Sequence, residues 1–343
     1  MSSLYLQQFA KNVSTSAFCI TILVNSTVLY LTIFKNNKIS KTFKYLLIVF
    51  TIISTVFSFL EFLIDPFFHS YNAGLSFFSL EKINGVSKHG MILLIGCYAS
   101  TFGGILAASV VQFINRYWIL LGGHYTKYFE NYYFLIWMLY VACISAATSS
   151  ICVYFGYPDT YANEYFRAAI ENNYNITVEE LPALMIIPFE DHDDYKIIRW
   201  KNIMYLVGVT IILGSQYLLV MFCAYKIHII IDNMIENQSR MNLQLQRQFF
   251  KTLLLQTFVP TITFNIPAFC MMGITFFDLN IDFPSGLVGC MFSLYPPMDS
   301  LILLLVVKDY RKSLIDIFRR SKVSNTRTVT LSKTTNQNDD NNI

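Results

Sequence analysis

Few side chains in the apolar stretches of this chain are equipped for chemistry, and Asp299 is the most exposed to question. It stands in Ser293-Leu294-Tyr295-Pro296-Pro297-Met298-Asp299-Ser300, and an unbroken apolar run to Val307 follows. In hydrocarbon an ionisable group costs about 3 kcal/mol or more, so it persists where it is shielded and used. A buried acid can work as half of an acid–base pair, as a metal ligand, as a Schiff-base counter-ion or as a hydrogen-bonding switch between helices. The sequence removes the first three. Asp299 has no carboxylate partner at intramembrane depth, and no Cys/His pair has metal-ligand spacing. His69, His89, His124, His192 and His228 fall in loops or at expected helix ends, and no lysine sits in the middle of the last apolar stretch. A glycine-rich phosphate loop and a nucleophile elbow are also absent. What remains is conformational chemistry, with no enzyme activity and no cofactor expected.

A conformational switch needs partners and hinges. Asn25 lies at the middle of the first apolar stretch, and the first and last helices of a closed seven-helix bundle are neighbours, so an Asn25–Asp299 hydrogen bond is expected. The second stretch offers Ser54 and Thr55 at similar depth, while its acids Glu61 and Asp65 lie towards one end; a buried sodium-type site is not expected. Pro260 and Pro267 are seven residues apart and share a face of the sixth stretch. Each removes a backbone hydrogen bond, giving either a static kink or a hinge. Asn265 is placed to satisfy a freed carbonyl, and Tyr295-Pro296-Pro297 repeats the device beside Asp299. Arg116 and Tyr117, in Asn115-Arg116-Tyr117-Trp118, read either as interfacial anchors or as a coupling element.

The elements that must position these residues follow from composition. The 343 residues are 54% hydrophobic, 16% aromatic and 14% charged, with a mean hydropathy of +0.45. A soluble domain is about one quarter charged. Seven stretches reach the length a bilayer helix needs, over 14–34, 45–67, 91–119, 133–154, 204–231, 252–276 and 287–307. Barrel strands would be about 10 residues long. The fold class is therefore an all-α membrane protein, a seven-transmembrane helix bundle with a short amphipathic helix after the seventh span. Residues 1–13 lack the order of features of a cleaved signal peptide, so the first helix is expected to act as an uncleaved insertion signal.

Lys35, Lys38, Lys41 and Lys44 fill the first loop, Arg116 and Lys127 flank the third connection, and Lys226, Arg240, Arg247 and Lys251 the fifth. By the positive-inside rule residues 1–13 are extracellular, residues 14–307 form the bundle with a long outer loop over 156–202, and the tail is cytoplasmic. The outer loop is acidic, either a solvated surface or a vestibule for cations, and carries the sequon Asn175-Ile176-Thr177. A second sequon at Asn12 abuts the first helix and is the weaker acceptor. All seven cysteines fall inside expected helices; Cys97 and Cys152 lie near outer ends and are the one pair placed to meet. Tyr310, Leu314, Ile317 and Phe318 recur at helical spacing among Arg311, Lys312, Arg319 and Arg320, so residues 308–320 read as a basic amphipathic helix on the inner leaflet. Residues 321–343 are rich in Ser, Thr, Asn and Lys and read as a disordered tail, either phosphorylated or merely solvated.

The run Phe113-Ile114-Asn115-Arg116-Tyr117-Trp118, the Lys-rich first inner loop, and Tyr-Pro-x-x-Asp followed by Lys308-Asp309-Tyr310-Arg311 together resemble nematode serpentine chemoreceptors of the Str type, over roughly residues 14–318. The resemblance implies a G-protein-coupled receptor in the plasma membrane of sensory cilia. Its partners would be a small, often volatile chemical cue, a heterotrimeric G protein at the cytoplasmic face and the lipid bilayer, with no nucleic acid. It also implies that Arg116 and Tyr117 form the inner switch of helix three and Asp299 that of helix seven. Ser300 stands where the family usually has proline, Asn115 replaces the acid of the wider rhodopsin-like class, and the long loop has no cysteine. A ligand would enter among the outer halves of helices three, five, six and seven, with Tyr98, Thr101, Phe102, Phe264, Phe269, Met272 and Phe292 as the candidate pocket lining. The alternative is a ligand-gated channel or transporter, against which stand the outside amino terminus and the lack of internal repeats.

Overall fold

The computed structural model describes residues 3–35, 40–122, 125–191, 195–233, 240–279 and 286–316. Among them seven helices are long and apolar enough to cross a membrane. The first span joins α1 (Ser3–Tyr30) to a π turn over Leu31–Lys35. The helix thus begins well before residue 14, where the apolar run starts. Span two is α2 (Lys41–Ile64). Ser40 caps its start, Oγ accepting from the Phe43 N–H, and Asp65 ends it in the left-handed region at φ 45° just before Pro66.

Pro66 opens what the all-α expectation missed. Strands β1 (Pro66–Tyr71) and β2 (Gly74–Ser79) form a hairpin in the register Pro66↔Ser79 to Tyr71↔Gly74. Asn72 supplies the left-handed residue of its two-residue turn, at φ 47°. After α3 (Lys88–Leu121) and α4 (Tyr132–Gly156), the long loop folds into α5 (Thr160–Tyr174) and strand β3 (Ala183–Ile186), which pairs antiparallel with β2. A second, two-stranded sheet follows, β4 (Phe189–Asp191) with β5 (Lys196–Ile198). Every residue of β2 and β3 is buried, because successive side chains feed opposite layers. Leu75, Phe77, Leu184 and Ile186 join the core of the bundle. Phe67, Phe78, Ala183 and Met185 pack instead with Phe166, Ile170 and Tyr174 of α5. Gly74 permits that second layer: a Cβ there would come within 2.8 Å of the rings of Tyr165 and Phe166.

The fifth span is α6 (Trp200–Asn233). Span six is broken as its prolines require, into α7 (Arg240–Pro260), a π turn over Thr261–Asn265 and α8 (Ile266–Phe276). The seventh is α9 (Gly286–Val306), with Pro296 and Pro297 inside it. Helix α3 is the hub, packed against α2, α4 and α6, while α1 lies along α9. Small residues bring α3 and α4 together, as close membrane packing requires. A Cβ on Gly96 would sit 2.4 Å from Cγ2 of Val153.

Helix α10 (308–316) follows the last span. The expected lipid-facing Tyr310 is instead fully buried in the bundle, with Val28, Leu31, Phe249 and Val307. Its hydroxyl and that of Thr32 are 2.7 Å apart, so a polar tip has found a partner the leaflet would not offer. Arg311 and Lys312 are exposed as expected. Ile317, Phe318, Arg319, Arg320 and the whole tail 321–343 lie outside the described residues.

Candidate functional site

The expected Asn25–Asp299 bond is replaced by two others. Asn25 accepts from the Ser300 hydroxyl and donates its amide to Thr55 Oγ1 at 2.7 Å, tying α1 to both α9 and α2. Adjacent residues of a helix point about 100° apart. Ser300 therefore faces α1, and Asp299 turns towards α7. There Asp299 Oδ2 accepts from Nε2 of Gln256 at 3.1 Å. Asp299 is 1% exposed, and its Oδ1 has no hydrogen-bond partner among the described residues; nor have the Ser54 and Tyr295 hydroxyls. Gln256 sits one turn before Pro260, so the acid of the seventh span is held by the helix that carries the kink.

Asn265 holds a carbonyl other than the expected ones, which are those freed four residues before each proline, at Gln256 and Thr263. Its amide donates to the Pro260 carbonyl at 3.0 Å and to the Tyr217 hydroxyl at 2.6 Å, and that hydroxyl lies 2.8 Å from Thr261 Oγ1. Polar side chains therefore fasten the π turn to α6. Pro267 begins α8, where its missing N–H costs nothing. At the other end of the bundle from the strands, Arg116 is buried at 5% exposure with its guanidinium 5.0 Å from the Phe249 ring of α7. Tyr117 is half-buried and packs beside Phe113, Leu120 and Leu253. Interfacial anchoring does not describe Arg116, which is inside the bundle.

Beneath the three-stranded sheet lies an apolar cavity of about 100 Å³. Tyr98, Ala99 and Phe102 of α3 form one wall, with Thr148 and Cys152 of α4 beside them. Tyr205, Val209 and Leu213 of α6 face Phe264, Ala268, Met271 and Met272 of the sixth span, and Phe292 of α9 closes the circle. The roof is Phe68, Leu75, Phe77 and Leu184, all from strands. Five of the expected lining residues are in place, namely Tyr98, Phe102, Phe264, Met272 and Phe292. Thr101 and Phe269 are not in the wall: Thr101 turns to the Tyr98 carbonyl at 2.7 Å, and Phe269 is 36% exposed. Phe264 is stacked between Phe102 and Phe292, with 3.7 Å between centroids on each side. It belongs to the π turn, so the cavity wall and the kink share a residue.

The roof is fastened without disulfides, since all seven cysteines are free. Cys97 is exposed and the Cys152 thiol points to the Tyr205 hydroxyl at 3.8 Å, so the two do not meet. Ion pairs do the fastening, Lys11 with Glu81 and Arg199 with Asp159. Burial raises the pKa of Asp159, but its cap bond from Ala162 N–H and its pairing with Arg199 outweigh this and hold it below the ordinary value. Asn175 is exposed, in the left-handed conformation that ends α5, and Asn12 is exposed on α1. Neither the roof nor Gln256 was foreseen. A polar residue one turn inside the inner end of the sixth stretch was the available signal for Gln256.

Comparison with known proteins completes the description. The family model for serpentine type 7TM GPCR chemoreceptors, Str, matches residues 10–315. A G-protein coupled receptor of Caenorhabditis elegans, str-33, is 33% identical over 317 residues, covering 91% of this chain and 92% of that protein. Serpentine receptor class r-10 of the same organism is 28% identical over 327 residues, covering 92% of each. Among solved structures, squid rhodopsin superposes with a TM-score of 0.63 at 10% identity, over 94% of this chain and 87% of its own, which is a likeness of fold.

Proposed function

Since the chain belongs to the Str family of serpentine seven-transmembrane chemoreceptors, we propose that it detects a small, volatile molecule in the cavity under the sheet and passes the signal to a heterotrimeric G protein at the far end of the bundle. The family is one of G-protein-coupled receptors in the plasma membrane, not of enzymes. The observation that carries the reading is the position of Phe264, in the cavity wall and in the proline-flanked turn at once.

An occupant of the cavity meets Phe264, whose backbone is part of the π turn. A π turn already departs from regular helix geometry, so it is a place where the two halves of a span swing at low cost. A ligand that fits better when α7 has swung shifts the population towards that state. The movement is felt at Gln256–Asp299 and, farther along α7, at Phe249 under Arg116. In this reading Asn25, Arg116, Tyr117, Pro260, Pro267, Tyr295, Pro296, Pro297 and Asp299 are the switch.

The lysine and arginine distribution supports an outside amino terminus, with the sheet and α5 facing the exterior and the G protein meeting the opposite end. Glycosylation at Asn175 and display on sensory cilia belong to the same reading. The experiment is a screen of volatile compounds against cells expressing the receptor with a G-protein readout, repeated on Ala268→Phe, which fills the cavity. Responses that disappear in the filled variant, while surface expression is kept, support the site; responses that persist contradict it.

A further inference from the structure

Resting on the reading of the cavity as the ligand site, we infer that Tyr98 is its hydrogen-bonding group and that the ligand is a neutral molecule with one carbonyl or hydroxyl oxygen on an apolar skeleton. Tyr98 is 2% exposed, and its hydroxyl has no hydrogen-bond partner among the described residues although the ring forms part of the cavity wall. A buried hydroxyl left without a partner is costly, and buried tyrosines ordinarily find one. The ring is not free to seek a partner. It stacks on Phe57 at 4.7 Å between centroids and leans on Phe77 at 6.0 Å.

Other polar groups of the wall have partners. Thr148 donates to the Ile144 carbonyl at 2.8 Å, and the Tyr205 hydroxyl accepts from the Cys152 thiol at 3.8 Å, which leaves Tyr98 as the hydroxyl with no partner on either side. Among the described residues the wall contains no Asp, Glu, Lys, Arg or His, so a charged ligand would enter an apolar cavity uncompensated. Glu61, an acid of α2, is outside the wall and accepts from the Ser293 hydroxyl at 2.9 Å. Volume sets the size. A dry cavity of about 150 Å³ takes the six carbons of benzene, so about 100 Å³ takes roughly four heavy atoms, oxygen included.

The test measures apparent affinities of propane, acetone, 2-propanol and propylamine for the full chain in lipid nanodiscs, from the shift of its unfolding midpoint. The ketone or the alcohol binds at least tenfold more tightly than the alkane and the amine. Tyr98→Phe, which keeps the ring, removes that advantage and leaves propane unchanged, while Ala268→Phe weakens all four. An oxygenate preference that survives Tyr98→Phe overturns the assignment of Tyr98 and leaves the cavity standing. Binding indifferent to Ala268→Phe overturns the cavity reading itself. A preference for propylamine that Glu61→Gln abolishes overturns the neutral class, and so does the absence of binding by either oxygenate.

Discussion

Gln256 reaches across from the sixth span to donate its side-chain amide to Asp299 of the seventh, 3.1 Å away in a fully buried contact. Pro260 of the sixth span and Pro296-Pro297 of the seventh lie within four residues of this bond. A single polar contact thus joins two helices beside their prolines.

Removing one side of that contact strands the other. Gln256→Leu leaves the Asp299 carboxyl group buried without a partner for Oδ2, at a cost of about 1–3 kcal/mol. Asp299→Asn keeps an acceptor oxygen facing Gln256 and is milder. Thermal unfolding of the two variants in detergent, ranked against the parent chain, checks the order.

For Asn25, the partner is Ser300. A double-mutant cycle between Asn25→Leu and Ser300→Ala gives a coupling of about 0.6 kcal/mol, the average for such bonds in membranes. A larger coupling of Asn25 to Asp299 than to Ser300 in the parallel cycle would contradict the geometry. Asn25→Leu alone also loses the Thr55 bond, so it lowers surface expression more than Ser300→Ala.

The legibility of the site in the sequence divides along physical lines. Spans announce themselves by hydropathy, and the seven stretches correspond to the seven helices. Asn265 was legible as a polar residue between two prolines, but its partner was not, since the Pro260 carbonyl is not one that a proline frees. The sheet was not legible: the second stretch ends at residue 67, and the short runs beyond it carry no signal for the long-range pairing of β1 with β2 and of β2 with β3. Ser300 attracted notice as an oddity beside Asp299 and turned out to be the partner of Asn25. A seven-helix template gives neighbours, but a rotation of about 100° between adjacent residues decides which one faces which helix. Tyr310 followed the same logic, its helical spacing being right and its face turned into the bundle.

At Gly96, close packing is testable by rescue. Val153 is β-branched and stiff within α4, so the methyl added by Gly96→Ala has nowhere to go. Overpacking of this kind costs about 1–3 kcal/mol. Val153→Ala removes the obstructing Cγ2, and the double variant is more stable than Gly96→Ala alone. Equal stability of the two would exclude the clash.

Asp65 makes the stability of the roof depend on pH. Burial first, and then the neighbouring Glu81 charge, raise its carboxyl to about 6, against about 3.9 in an unfolded chain. The folded chain therefore holds this proton more tightly between those values. Its contribution is most favourable below about pH 4 and is lost as pH rises through about 6, by roughly 3 kcal/mol in all. Asp65→Asn removes that component. Unfolding midpoints at pH 5 and pH 7 should differ between parent and variant, with the parent gaining more on acidification; equal differences contradict the assignment.

Coupling of the cavity to a G protein through the proline-flanked turn is measured most directly as ligand-driven nucleotide exchange. The full chain, reconstituted in nanodiscs with a heterotrimeric G protein, is exposed to a volatile compound that it binds. Guanine-nucleotide exchange rises several-fold in the parent chain. It stays at the basal rate in Phe264→Ala, which unlinks the cavity wall from the turn, even at concentrations that saturate the cavity. Exchange that rises equally in both proteins would show that the signal does not pass through Phe264, and exchange that never rises would contradict coupling itself.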